Sequence, residues 1–358
     1  MRSLKGLVLA GGKGSRLRPL TATGAKQLVP VANKPVLYYA LEQLVEAGIH
    51  EIGIITGDTA AQVEAAVGDG SRFGASVTYL PQGAPLGLAH AIVTAREWLG
   101  DSPFCMFLGD NFLMGGIAVH ARRFAEAVCA GQILLKRVPD PAAFGVAVLD
   151  EEGRVRRLVE KPREPLSDLA VIGVYFFGPE VHAVTPHLQP SGRGELEITD
   201  AIQGLIDAGH EVRSSLIADE WIDTGKKDDM LEANRLVLAT LLKRIDGDVD
   251  PDSTLVGAVV VEGGAQVRSS TVRGPAIIGA GTKVVDSYVG PFTAIGADCD
   301  LSACEIEHSI VLDRSTIRTV SQRIADSLIG REVVLERSPL KPQAIRVMLG
   351  DHSVVGVV

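Results

Sequence analysis

No acidic side chain occurs before Glu42, although the whole 358-residue chain carries a formal charge of -9. The same stretch holds seven cations, Arg2, Lys5, Lys13, Arg16, Arg18, Lys26 and Lys34, so positive charge is gathered where the chain begins. The acidity of the rest argues against nucleic acid as a partner. Aromatic residues are only 4% against 46% hydrophobic, which leaves core packing to Ala, Val, Leu and Ile. No apolar run reaches the ~18 residues of a membrane helix, and Gly6–Ala10 is too short for the core of a secretion signal. A cytoplasmic protein without membrane contact is therefore expected. Cys105, Cys129, Cys299 and Cys304 show no CxxC spacing and no paired histidines, which argues against zinc and for buried, reduced thiols. Two common phosphate motifs are missing as well. A Walker loop requires glycine at Leu7 and Ser or Thr at Gly14, and a dinucleotide fingerprint requires glycine at Leu17.

What stands in their place is Leu7-Val8-Leu9-Ala10-Gly11-Gly12-Lys13-Gly14-Ser15-Arg16-Leu17-Arg18-Pro19, closed by Lys26. An apolar run of strand length feeds a loop whose glycines Gly11, Gly12 and Gly14 leave backbone N–H groups open to an anion. Strand and helix patterns then alternate: Pro35 to Gly48 as helix, Glu51 to Thr56 as strand, Thr59 to Val67 as helix, Val77 to Leu80 as strand, Gly87 to Leu99 as helix, Phe104 to Leu108 as strand. This alternation predicts an α/β fold with a mostly parallel, Rossmann-like sheet, whose ligands bind at the carboxyl ends of the strands. Gln82 opens a loop between strand and helix, where its amide can match the imide edge of uracil or thymine and Gly87 lets the base lie against backbone. His90 reads as a helix-surface histidine without a catalytic partner. Asp110, at the tip of the strand Phe104 to Leu108, needs solvent, a cation or a metal to face, and is the first expected Mg²⁺ ligand. Glu160 and Lys161 can act on one ligand only if proline or a bulge turns them to the same side, since neighbours on a regular strand face opposite ways. Glu195, Glu197 and Asp200 read as first-turn helix acids without chemistry.

The run Gly11 to Lys26, continued through Pro30-Val31-Ala32-Asn33-Lys34-Pro35, resembles the signature loop of the sugar-1-phosphate nucleotidylyltransferases. One departure is Ser15, where threonine is commoner in that family. The resemblance covers about residues 3 to 335 and implies transfer of a thymidylyl group from dTTP to glucose 1-phosphate, with release of pyrophosphate and Mg²⁺ as cofactor. It implies nucleotide contacts from Gly11, Gly12, Gly14, Ser15, Arg16, Gln82 and Gly87, with Arg16 and Lys26 acting on the triphosphate. By the same resemblance Glu160 takes sugar hydroxyls, Lys161 and Arg193 take the sugar phosphate, and Gly145, Val171 and Trp221 line the sugar. Trp221-Ile222-Asp223-Thr224-Gly225 matches a family motif and makes Asp223 the second metal ligand. Three alternatives stay open: a UTP-dependent uridylyltransferase of the same fold, a bifunctional enzyme that also acetylates an amino-sugar phosphate, and a non-catalytic sugar-nucleotide sensor, which would need a lost catalytic residue where none is visible.

After the polar segment Asp246 to Asp252 the periodicity changes. Val261, Ile278, Ile295 and Leu312 recur every seventeen residues, with Val267, Val284 and Leu301 at the sixth place and Val272, Val289 and Ile306 at the eleventh. Three inward positions per unit predict a three-sided solenoid. It resembles the hexapeptide left-handed β-helix, losing register beyond Ile317 and ending in an irregular cap from Arg337 to Val358. The expected division is a catalytic domain over 1–245 and a β-helix domain over 254–358, whose role is structural or oligomerising; a homo-oligomer is expected.

Overall fold

The computed structural model describes residues 3–12, 14–22, 24–127, 129–338, 347 and 352–356. Lys13, and most of the expected cap after Arg337, lie outside them. The chain divides into two compact units.

The first unit comprises Met1–Lys13, Ala25–Leu28 and Val36–Asp223. Its elements are β1 (Lys5–Leu9), α1 (Val36–Glu46), β2 (Glu51–Thr56), α2 (Ala60–Val67), β3 (Ser76–Pro81), α3 (Leu88–Thr94), β4 (Phe104–Leu108), β5 (Asn111–Leu113), α4 (Ala118–Glu126), β6 (Gly131–Arg137), β7 (Gly145–Leu149), β8 (Val155–Glu160), β9 (Leu169–Phe177), α5 (Ile198–Asp207), β10 (Val212–Leu216) and β11 (Trp221–Asp223). A nine-stranded sheet runs in the order β8-β7-β9-β4-β1-β2-β3, with β6 pairing β9 and β10. Pairings among β1 to β4 are parallel, as the alternation predicts, but β9 enters antiparallel to β4, β6 and β7, so the sheet as a whole is mixed. Successive residues of β1 point to opposite faces. Val8 packs with Leu41, Ile54 and Phe107 on one face, and Leu7 with Ile92, Phe104 and Ile202 on the other. α1, α2 and α4 cover the first face, α3 and α5 the second. The helix expected over Gly87 to Leu99 breaks at Ala95, and a four-residue helix, Arg96–Leu99, follows.

The second unit comprises Gly14–Gly24, Val29–Pro35 and Thr224–Val358. It contains α6 (Lys227–Ala239) and three stacks of short parallel strands, of the left-handed β-helix type. α6 ends at Ala239, and Arg244–Ile245 is already the first strand of a stack, pairing with Val260 and Val261. All ten periodic aliphatics are buried. The expected seventeen-residue period holds from Val261 to Ile278 to Ile295, then fails: Ile295 pairs with Val311, not Leu312. The next turn is longer, pairing Val311 with Ile329 and Ile317 with Leu335, so stacking continues past Ile317 to Glu336. Left-handed residues mark one corner column, Gly264, Gly281, Asp298, Arg314 and Glu332, a corner whose own length stays constant; the changes of length fall at the other corners, between Ile306 and Val311 and between Ile317 and Ile324. The signature run Pro30 to Pro35 forms a two-stranded turn on this unit. Asn33 Nδ2 donates to the Ile295 carbonyl at 2.7 Å, and Asn234 on α6 links the Ala32 N–H to the Phe292 carbonyl.

Candidate active site

At the carboxyl edge of the parallel strands, β1 runs into Gly11 and Gly12, β3 into Gln82, and β4 into Asp110. Lys26, buried despite its charge, aims its ammonium at Asp110 Oδ2 and lies 3.8 Å from Asp223 Oδ1. Residues from three separate parts of the sequence thus meet around one cation. β5 and β11 bring Asp223 there, since Asp223 pairs directly with Asn111 in an antiparallel ladder.

Asn111, which the sequence reading passed over, is the pin of this arrangement. Its Nδ2 donates to Asp110 Oδ1 at 3.1 Å, and its Oδ1 accepts the Trp221 indole N–H at 2.6 Å and the Gly173 N–H at 3.2 Å. Trp221, expected to line the sugar, is buried, gives its N–H to Asn111 and packs edge-on against Phe144. In the structure it braces the floor beneath Asp110. The signal for Asn111 was its place beside a strand-tip aspartate, but nothing in a sequence marks an amide as buried.

A second group forms where β7 and β8 end. Glu160 pairs with Gly145, and an added Cβ on Gly145 would stand 3.3 Å from Glu160 Oε2 and 3.7 Å from Val171 Cγ2. Lys161 takes a left-handed φ of 41° while its N–H bonds to the Phe144 carbonyl, which ends the strand and turns its ammonium to 3.7 Å from Glu160 Oε1. This backbone turn meets the condition that strand geometry imposed. Arg193 Nη2 reaches Glu160 Oε1 at 3.1 Å and Glu197 Oε2 at 2.7 Å. Glu197 is therefore more than a first-turn acid: nearly enclosed, it accepts from Ser191 Oγ and from Arg193 and fixes the guanidinium. Burial lifts the Glu160 carboxyl above its ordinary range, with the charge of Lys161 opposing. Glu160, Lys161, Ser191, Arg193 and Glu197 line a cavity of about 750 Å³.

A third group surrounds Gln82. Its backbone N–H bonds to the Thr56 carbonyl at 2.9 Å, and its Oε1 would lie 3.8 Å from a Cβ placed on Gly11. Gly87 has φ of 105°, and a side chain there would strike the Leu196 carbonyl, so glycine is required for this loop to close. His90 is half buried, and its Nδ1 stands 2.8 Å from Gln82 Nε2. Gln27, also missed, is buried with its amide nitrogen 3.3 Å from where a Cβ on Gly12 would be.

Gly14, Ser15 and Arg16 belong to the second unit. Gly14 is left-handed ahead of a single turn, Ser15–Leu17, and its carbonyl accepts from Thr21 Oγ1. The Arg16 guanidinium lies over Gly225, where a Cβ would come 2.7 Å from Nη2. His308 pairs with Asp326 at 2.6 Å on a solenoid corner.

Among the described residues no group of three or more His, Cys, Asp and Glu could hold a metal, and no helix is long and apolar enough to cross a membrane. One or two hard carboxylates, such as the two that face Lys26, are nonetheless what Mg²⁺ uses when substrate phosphates and water complete its shell. The donor set of Asp110 and Asp223 fits that ion.

A family profile described as nucleotidyl transferase matches residues 5–240. The chain is 55% identical over 350 residues to a glucose-1-phosphate thymidylyltransferase of Streptomyces griseus, with 98% of each chain covered. It is 54% identical over 355 residues to a protein of the same description from Streptomyces antibioticus, with 99% of each covered. Among solved structures, a candidate glucose-1-phosphate thymidylyltransferase from Bacillus anthracis, in complex with sucrose, superposes with a TM-score of 0.62 at 35% identity, covering 65% of this chain and 94% of that one.

Proposed function

Because the chain belongs to the nucleotidyl transferase family, we propose that it transfers a thymidylyl group from dTTP to glucose 1-phosphate, giving dTDP-glucose and pyrophosphate. An oxygen of the sugar phosphate attacks the α-phosphorus in line; the new O–P bond forms as the bond to the pyrophosphate oxygen breaks. No protein nucleophile is needed, because the substrate phosphate already is one. The obstacle is the approach of two polyanions, so catalysis is positioning and charge neutralisation.

Lys26 neutralises the α-phosphate as negative charge grows on its oxygens. Lys161 and Arg193 hold the sugar phosphate, Glu160 accepts from sugar hydroxyls beside Gly145 and Val171, and Gln82 with Gly87 receives the base. For Arg16, with Gly14 and Ser15, contact with the triphosphate rests on the loop motif alone. Asp110 and Asp223 would hold Mg²⁺, which when bound supplies Lewis-acid polarisation of phosphate oxygens. Cytoplasmic location and a homo-oligomer in solution complete the reading.

The observation that supports it most is the meeting of Lys26 with Asp110, 84 residues away in sequence, and with Asp223. The test is pyrophosphate release with glucose 1-phosphate and each of dTTP, UTP, dCTP and ATP, with the product identified by mass spectrometry. dTTP is expected to be fastest. A preference for UTP would replace thymidylyl by uridylyl transfer, and no release with any of the four would refute the reading.

A further inference from the structure

The glutamine that receives the base is itself held. Gln82 Nε2 donates to His90 Nδ1 at 2.8 Å and makes a long contact of 3.4 Å with the Gly87 carbonyl. His90 lies in the first turn of α3, half buried, and the Thr94 hydroxyl bonds its carbonyl at 3.0 Å while standing 3.4 Å from the same Nδ1. An amide nitrogen only donates and an amide oxygen only accepts. Receiving Nε2–H makes Nδ1 the acceptor, so the neutral ring carries its proton on Nε2. The other end of the amide, Oε1, is thereby kept on the side of Gly11.

We propose that His90 is a positioning residue that fixes which way the Gln82 amide faces, and so makes the site choose pyrimidines with an imide edge over cytosine. The inference rests on the function proposed above. Thymine and uracil present an N3–H donor beside carbonyl acceptors. Oε1 accepts from N3–H, and the second hydrogen of Nε2, held only by the long contact to Gly87, is available to a flanking carbonyl. Cytosine presents a lone pair at N3 and an amino donor beside it, so a fixed Oε1 meets a lone pair. Without His90 the amide turns over freely, and the same side chain then suits cytosine.

The test uses the full chain, with dTTP and dCTP binding measured by calorimetry in Mg²⁺ and pyrophosphate release measured in parallel. His90→Ala removes the acceptor, while His90→Asn places an acceptor oxygen close to the position of Nδ1. Alanine favours helix, so H90A is expected to fold, which circular dichroism checks. H90A should lose about tenfold in the dTTP-to-dCTP affinity ratio. The loss should appear as weaker dTTP binding and a raised KM with kcat within about threefold, and H90N should recover much of it. An unchanged ratio in folded H90A, or H90N no better than H90A, overturns the assignment to His90 and leaves the transferase reading intact. If H90A does not fold, H90N with a dTTP-to-dCTP ratio below that of H90F, whose ring keeps the shape without an acceptor, overturns it equally. A wild-type protein that neither binds dTTP nor releases pyrophosphate overturns the function, and this inference with it.

Discussion

Replacing Lys26 by alanine should slow the reaction and, at the same time, tighten the hold of the substrate-free protein on a divalent cation. The ammonium sits against Asp110 and 3.8 Å from Asp223, with 8% of its side chain exposed against 20% and 31% for the two carboxylates. At that distance two unit charges interact by about 4 kcal/mol for an effective dielectric of 20. Water at the partly exposed carboxylates reduces the lysine–carboxylate attraction that an incoming cation must displace to roughly 2–3 kcal/mol, which corresponds to about 100-fold in cation affinity. Turnover should fall by roughly 10² to 10³, the loss typical of one charge contact made in the transition state. Mn²⁺ binding followed by electron paramagnetic resonance reads the first effect and pyrophosphate release the second. Turnover within threefold of wild type would remove Lys26 from the chemistry. Unchanged or weaker Mn²⁺ binding would refute the idea that lysine and metal draw on the same two carboxylates.

Asn111→Ala leaves the buried Trp221 indole N–H and the Gly173 N–H without their acceptor. At about 1–3 kcal/mol for each stranded donor, the unfolding free energy measured in urea should fall by roughly 2–6 kcal/mol, and a loss under about 1 kcal/mol would contradict the pinning role. Glu160→Gln tests the buried carboxyl. Because burial raises its folded value above the ordinary 4.5, with Lys161 opposing and Glu197 adding to the rise, the folded state binds the proton more tightly than the unfolded one. The resulting penalty is absent well below pH 4.5 and grows as pH rises through the folded value. E160Q should therefore melt at or above wild type at pH 7 and no higher than wild type in acid, while its KM for the sugar phosphate rises; a lower melting temperature at pH 7 would refute the burial argument. Ile278→Ala, in the middle of a fully buried column between Val261 and Ile295, should cost about 2–5 kcal/mol in denaturant unfolding without altering base preference.

Features that repeat, or that concentrate one kind of residue, were legible before folding. The parallel strands announced themselves as short apolar runs between helical patterns, and the solenoid as aliphatic residues at fixed intervals. The glycine and lysine of the first loop, the aspartate at the tip of β4 and the motif around Asp223 pointed to the group that meets at Lys26. β10 carried no such mark: Val212-Arg213-Ser214-Ser215-Leu216 has polar residues on both faces and becomes a strand only because β6 offers it an edge. Asn111, Glu197 and Gln27 were missed for a related reason. A polar residue enclosed by its partners looks, in sequence, like one on the surface. That Glu160 and Lys161 must be turned to one side, by proline or a bulge, follows from strand geometry, whereas the left-handed turn at Lys161 that does it depends on the tertiary bond from its N–H to Phe144.

The uneven turns of the solenoid bear on how such a chain can vary. A short turn is followed by a long one, and the inward column from Ile295 through Val311 to Ile329 is kept. The residue lost between Ile306 and Val311 is not restored between Ile324 and Ile329, and the gain falls at another corner, so each corner changes length without shifting the strands beside it. Relatives should differ in the lengths of their corners far more readily than in the aliphatic identity of these inward columns, and loops grafted at the corners should be accepted without a new core.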